Sequence, residues 1–276
     1  FESVLTMNTG AEAVETAIKI VRKWGHTVKG IPNELSKIVV CDSNFHGRTT
    51  TVISFSTDHG SKDFFGPHTP GFIHIPYNDL EALENVLKVE DNVVSFLVEP
   101  IQGEAGVNVP DDKYLEGVRK LCTDYNVLMI ADEIQTGLGR TGSLLACGDV
   151  RPDMLILAKA LSGGTYPVSA VLCDTHIMEV IQPGQHGSTY GGNPFAASIA
   201  KKSLEIIVEE KLPENADFFL SGTMVQPFES YINLNCGEDI NNFNESKLLS
   251  ELPKIKYDDF QGTHWQPSLI PLKTWN

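Results

Sequence analysis

Long apolar runs are missing from this sequence. The longest, such as Val93 to Val98 and Met154 to Ala158, are far too short to span a bilayer. Positive charge is scarce as well. The 21 Lys and Arg stand against 36 Asp and Glu, a formal charge of −15. So acidic a chain repels phosphate backbones, which argues against a nucleic-acid partner. Five cysteines occur, Cys41, Cys122, Cys147, Cys173 and Cys236, with no C-x-x-C pair. An odd count without that spacing argues against a disulfide framework or a zinc ribbon. They read as buried, reduced thiols. The eight histidines show no H-x-x-x-H or H-E-x-x-H spacing, so no metal site is expected. No G-x-S-x-G elbow is present. These absences exclude a membrane span, a collagen and a disulfide miniprotein, and they leave soluble enzymes open.

What is there suits a packed core. The chain has 276 residues, 41% apolar and 21% charged, enough for one large domain or two small ones. It opens at Phe1 on a strand-and-turn pattern, so any targeting segment would lie upstream. Short β-branched or apolar runs predict strands over 37–41, 51–55, 93–98, 127–131, 154–158 and 168–173. Helical periodicity predicts helices over 11–24, 78–88, 111–125 and 194–210. Asn78, with Glu81 three residues on, is the expected cap of the second helix. Strands separated by helices of this length imply an α/β fold, a mostly parallel sheet with helices on both faces. From about residue 218 the periodicity stops. Residues 218–276 hold six Asn, four Pro and no Arg. They are expected to lack a compact core, so the organisation is read as one domain over 1–217 and an atypical tail.

Ligands of an open parallel sheet bind beyond the carboxyl ends of its strands. The residues following the expected strands are therefore the candidates: Asn44 to Arg48, Glu99 to Glu104, Asp132 to Gln135, and Lys159. A lysine directly after an apolar strand is partly desolvated, which lowers its pKa and frees the amine as a nucleophile toward an aldehyde. An aspartate at a nearby strand end suits a pyridinium nitrogen, which must stay protonated if the ring is to act as an electron sink. The alternative for Asp132 and Lys159 is an ordinary buried ion pair. Thr9-Gly10-Ala11-Glu12 forms a T-x-x-E capping box, and the amides of the helix start favour a phosphate. Ser188 to Pro194 is a second candidate, with two hydroxyls, glycines and a helix start. His46, between Phe45 and Arg48, is the one histidine expected near a ligand. Gly137 to Gly142 matches G-x-G-x-x-G literally. It neither follows directly on its strand nor opens a helix of the required length, so dinucleotide binding is not expected.

Six blocks occur together in order: MNTGAEA at 7–13, NFHGRT at 44–49, EPIQGEAG at 99–106, ADEIQTG at 131–137, KALSGG at 159–164 and HGSTYGGNP at 186–194. With this order and spacing the chain resembles the class III aminotransferases, pyridoxal 5′-phosphate enzymes of fold type I. The resemblance covers about residues 1–217. The segments YPVSAVL at 166–172 and PGQHG at 183–187 resemble the ornithine-using members. The resemblance implies transfer of the δ-amino group of ornithine to 2-oxoglutarate, giving glutamate 5-semialdehyde and glutamate. Acetylornithine or 4-aminobutyrate is the alternative donor, and an inactive, truncated product the alternative from another class.

By the same resemblance, Lys159 would hold the cofactor covalently and move the proton between Cα and C4′. Asp132 would bind the pyridine nitrogen and Gln135 the phenolic oxygen. Ile134 and Phe45 would cover the two ring faces. Gly10 and Ala11 would offer amides to the phosphate. Ser188 and Thr189 would reach the phosphate of a neighbouring subunit, which implies a homodimer or higher homo-oligomer. Arg48 would hold a substrate carboxylate and Glu104 would act as the switch acid. The family's C-terminal small domain is expected to be missing or replaced. Relatives of this kind work in the mitochondrial matrix or the cytosol.

Overall fold

A computed structural model describes residues 1–215. The reading of 218–276 as a coreless tail lies outside the described residues. In chain order the strands are β1 (Ser3–Met7), β2 (Lys37–Cys41), β3 (Phe72–Ile75), β4 (Val93–Val98), β5 (Leu128–Asp132), β6 (Met154–Leu157) and β7 (Ser169–Cys173). The helices are α1 (Gly10–Thr27), α2 (Thr50–Ser54), α3 (His59–Lys62), α4 (Leu80–Val89), α5 (Tyr114–Asp124), α6 (Thr175–Met178) and α7 (Pro194–Glu209). Single 3₁₀ turns follow at Lys159–Ser162 and Leu212–Asn215.

The strands form one sheet in the order β1-β7-β6-β5-β4-β2-β3. β3, β2, β4, β5 and β6 run parallel, while β7 is antiparallel to both β6 and β1. The mostly parallel α/β sheet expected from the sequence is therefore what is found. Its central strands are apolar at nearly every position because both faces are covered. Ile38, Val40, Leu97, Ile130 and Ile156 pack with α1. Val39, Phe96, Val98 and Met129 pack with Leu83 and Leu87 of α4 and Val118 and Cys122 of α5. Leu155, Leu157 and Ala170 pack with Ala196 and Ile207 of α7. Cys41, Cys122, Cys147 and Cys173 are buried and unbridged, as the sequence reading expected.

Three local expectations are corrected. The β-branched run 51–55 is not a strand: residues 51–54 belong to α2 and Phe55 is its C-cap. The sheet position beside β2 is taken by β3, which the sequence reading did not single out. Residues 50–54 turn instead, with Ile53 N–H bonded to Thr49 O at 2.9 Å and Ser54 Oγ to Thr50 O at 2.7 Å. Phe55 then stacks on Phe72, centroids 4.4 Å apart. Strand propensity yields here to tertiary packing. The cap of α4 is Asp79, not Asn78: Asp79 accepts the Ala82 N–H at 2.8 Å. Asn78 sits at φ 63° and accepts the Asp111 N–H. Finally, α5 begins at Tyr114, three residues later than its apolar pattern suggested, after a turn closed by Tyr114 N–H to Asp111 O.

Candidate active site

The carboxyl ends of the parallel strands converge on one cavity of about 450 Å³, within the range of cofactor and ligand pockets. β2 leads into Phe45 and His46, β4 into Glu99, β5 ends at Asp132 and leads into Ile134 and Gln135, and β6 leads into Lys159; all of these line it. Gly10 and Ala11 close the wall from α1.

The start of α1 is built as its sequence dictates. Thr9 Oγ1 accepts the Glu12 N–H, and the Glu12 carboxylate accepts the Thr9 N–H at 2.8 Å. The Gly10 and Ala11 amides, at the first two helical positions, have no partner inside the helix. Ser169 Oγ, donating to Thr9 O at 2.7 Å, ties this helix end to β7. A Cβ at position 10 would stand 2.9 Å from Ile134 Cδ1, so the Ile134 side chain at the cavity would have to shift. A Cβ at Gly103 would stand 2.2 Å from Gln135 Oε1 and would displace the Gln135 side chain.

Asp132 is 5% exposed. Its Oδ1 accepts the Ile134 N–H at 3.0 Å, and its Oδ2 lies 2.6 Å from His46 Nδ1. Burial alone would lower the His46 pKa, but the bond to Asp132, the Asp132 charge and then the Glu99 charge carry it above its ordinary value. His46 Nε2 is buried without a partner. Among the described residues Asp132 pairs with His46 and makes no ion pair with Lys159 within 4 Å. Lys159 stands at φ 45°, a left-handed conformation uncommon for a residue with a side chain. Burial pulls its pKa down against the opposing charges of Glu104 and Asp132. The residue as a whole keeps contact with solvent, so its desolvation is partial.

The remaining expected residues lie at the rim or beyond it. Gln135 Nε2 donates to Glu104 Oε1 at 3.1 Å, and Glu104 is exposed. Arg48 is exposed, its guanidinium 6.0 Å from the Phe45 ring centre. Ser188 and Thr189 do not line this chain's own cavity. Ser188 Oγ accepts from Asn8 Nδ2 at 2.8 Å, and Asn8 does line it. Thr189 is exposed. Gly137 to Gly142 forms turns and opens no helix. Its loop is anchored by the buried Glu133, whose carboxylate accepts from Thr136 Oγ1 and Cys147 N. Sequence reasoning gave Glu99 no role of its own, although it lines the cavity and is 7% exposed. Its only signal was its place directly after an apolar strand.

This donor set suits pyridoxal phosphate. Two apolar side chains, Phe45 and Ile134, line the cavity. A buried carboxylate and a partly desolvated amine share that space, and free helix amides lie at its edge. An ornithine aminotransferase of Plasmodium chabaudi chabaudi is 60% identical over 219 residues, 79% of this chain and 53% of that protein. The mitochondrial ornithine aminotransferase of Rattus norvegicus is 62% identical over 219 residues, 79% of this chain and 50% of that protein. The crystal structure of an ornithine aminotransferase from Toxoplasma gondii, described with partial occupancy of PLP at its active site, superposes with a TM-score of 0.78 at 48% identity, over 85% of this chain and 55% of that one. The chain thus spans about half the length of the relatives it matches. The family description "Aminotransferase class-III" matches residues 1–222, and the chain belongs to that family.

Proposed function

We propose that this chain provides the cofactor-binding part of an enzyme that moves the δ-amino group of ornithine to 2-oxoglutarate, giving glutamate 5-semialdehyde and glutamate. The carrying observation is that Lys159, Asp132, Phe45 and Ile134 line one cavity in a chain 60% identical to an ornithine aminotransferase. Bound there, pyridoxal phosphate supplies an electron sink for the charge left when a bond at the amino-bearing carbon breaks.

The chain's own residues do the rest. Lys159, its amine made less basic by burial, holds the cofactor and carries the proton to and from the substrate carbon. Asp132 would face the ring nitrogen of the bound cofactor and favour a proton there, and its bond with His46 orients it. Phe45 and Ile134 hold the ring from its two faces and exclude water. Gly10 and Ala11 bind phosphate through their amides at the positive end of α1. Gln135 holds the phenolic oxygen and Glu104 acts as the switch acid beside it. Arg48, a planar fork stacked near Phe45, holds a substrate carboxylate. Ser188 and Thr189 serve the phosphate of a second copy in a homodimer or higher homo-oligomer. Residues 1–217 are assigned as the cofactor-binding domain. The mitochondrial matrix is proposed as its compartment, since the rat relative is mitochondrial by name; the cytosol is the alternative.

The test is a direct assay of the protein with added pyridoxal phosphate and 2-oxoglutarate. Ornithine, N-acetylornithine and 4-aminobutyrate are compared by kcat/KM. Ornithine should lead. Preference for either other donor would replace the substrate assignment, and no amino transfer with any would overturn the reading.

A further inference from the structure

Glu99 is a second buried carboxylate at the site, and the chemistry above leaves it unused. Its position follows from the sequence. β4 is apolar throughout, and Glu99 is the first residue beyond it. A carboxylate carried into such a place must find donors or give up its charge. Among the described residues it has no ion pair closer than 4 Å. It has one hydrogen bond, accepted by Oε2 from the Phe45 N–H at 3.1 Å. Burial raises its pKa to about 7, with the His46 charge opposing the rise.

The groups that face it come from five places. His46 lies on the loop after β2, Asp132 at the end of β5 and Lys159 after β6. The Cys41 thiol, at the end of β2, is pushed up to about 12 by burial. The Tyr77 phenol, ahead of α4, is also pushed up by burial. The thiol and the phenol therefore stay neutral at pH 7. Two carboxylates therefore act on His46: Asp132 at 2.6 Å, and Glu99, whose charge also favours the imidazolium. Glu99 also grips the main chain at Phe45, the residue before His46.

We propose that Glu99 is a positioning residue: its carboxylate fixes the Phe45–His46 segment against the cavity and favours the charged form of His46, and through His46 it positions the Asp132 carboxylate at the cavity. The significance for catalysis rests on Asp132 being the partner of a ring nitrogen. The coupling of Glu99 to His46 does not, because it lies wholly within this chain.

The experiment is therefore run on the cofactor-free, full 276-residue chain. The His46 ring is followed by NMR of ¹⁵N-histidine-labelled protein across pH, and the Glu99 carboxyl by ¹³C labelling. In the unaltered chain the His46 resonances should show an inflection at the pH where Glu99 itself titrates. Glu99→Gln keeps an oxygen for the Phe45 N–H but removes the charge. It should lower the His46 pKa by about one unit and leave the Phe45 amide protected from hydrogen exchange. Glu99→Ala should lower the pKa similarly and also release that amide. A His46 curve with no inflection at the Glu99 midpoint, in the unaltered chain, would overturn the proposal even if neither variant folds. So would a folded Glu99→Gln chain with an unmoved His46 pKa. Neither result bears on cofactor identity, which the donor-comparison assay tests separately.

Discussion

The two ends of the parallel strands use the same kinds of side chain in opposite ways. At the amino ends, Lys37 at the start of β2 pairs with Glu90, each about one-third exposed. Arg119 of α5 meets Asp153 at 2.6 Å, just before β6, and Asp153 also accepts the Met129 N–H. These charges keep contact with water and close the bottom of the sheet. At the carboxyl ends, Glu99, Asp132, Glu133 and His46 are all under 9% exposed, and Lys159, itself solvent-exposed, lines the same cavity. A partly hydrated pair can separate at little cost. A buried charge without its partner leaves a strong desolvation penalty, which is why its protonation state moves instead. The lower end therefore contributes modestly to stability, and the upper end stores the shifted acidities that proton-transfer chemistry needs.

The largest break in that contrast should come from Lys159→Ala. The amine is lost, so cofactor should no longer be trapped covalently by borohydride, and amino transfer should fall to background. Mass spectrometry of the reduced peptide checks this. Trapping at an unchanged level would place the reactive lysine elsewhere.

Asp132→Asn should come next. It keeps the shape and one acceptor but removes the charge that holds His46 and, in the proposed role, a ring proton. Turnover should drop by roughly 10²–10³-fold, the scale of losing one preorganised partner for developing charge. Cofactor should still bind, as read by its visible absorbance. A loss under tenfold would separate Asp132 from the chemistry.

Stability should also depend on pH in an unusual direction for a carboxylate. The folded-state pKa of Glu99 is raised from 4.5 to about 7, and that of His46 is raised above 6.5. For both groups the folded state binds the proton more tightly, so the associated stability is complete below the unfolded values. It is lost as pH rises through the folded ones. Urea midpoints should fall between about pH 4.5 and 8, with Glu99 contributing on the order of 3 kcal/mol. Glu99→Gln should flatten the curve. A midpoint that rises steadily across that window would contradict both assignments.

At the lower end the effect should be small. Lys37→Ala, Glu90→Ala and the double variant should give a coupling energy under about 1 kcal/mol in a double-mutant cycle, shrinking further in salt. A coupling as large as that of the buried groups would erase the distinction between the two ends.

Much of this was legible in the sequence where the governing interactions are local. The capping box from Thr9 to Glu12 spans four residues, and it formed as read. β2 and β4 fell on their apolar runs, because strands covered on both faces need no alternation. Cofactor-type residues could be listed because they follow strands directly. Where propensity and packing disagree, as at α2, the local signal misled: a β-branched run met a sheet position already filled by β3.

What the sequence by itself determined is therefore an inventory: which segments are apolar, where helices can begin, and which reactive side chains stand at strand ends. Only the tertiary structure decided which of them meet. His46 and Asp132 are separated by 86 positions in sequence, yet lie 2.6 Å apart. They meet because β2 and β5 both pair with β4, in an order that spacing along the chain does not encode. The same adjacency places Glu99 beside His46 and Lys159. A pKa depends on what surrounds a group in space, so these acidities became readable only once the strands were assembled.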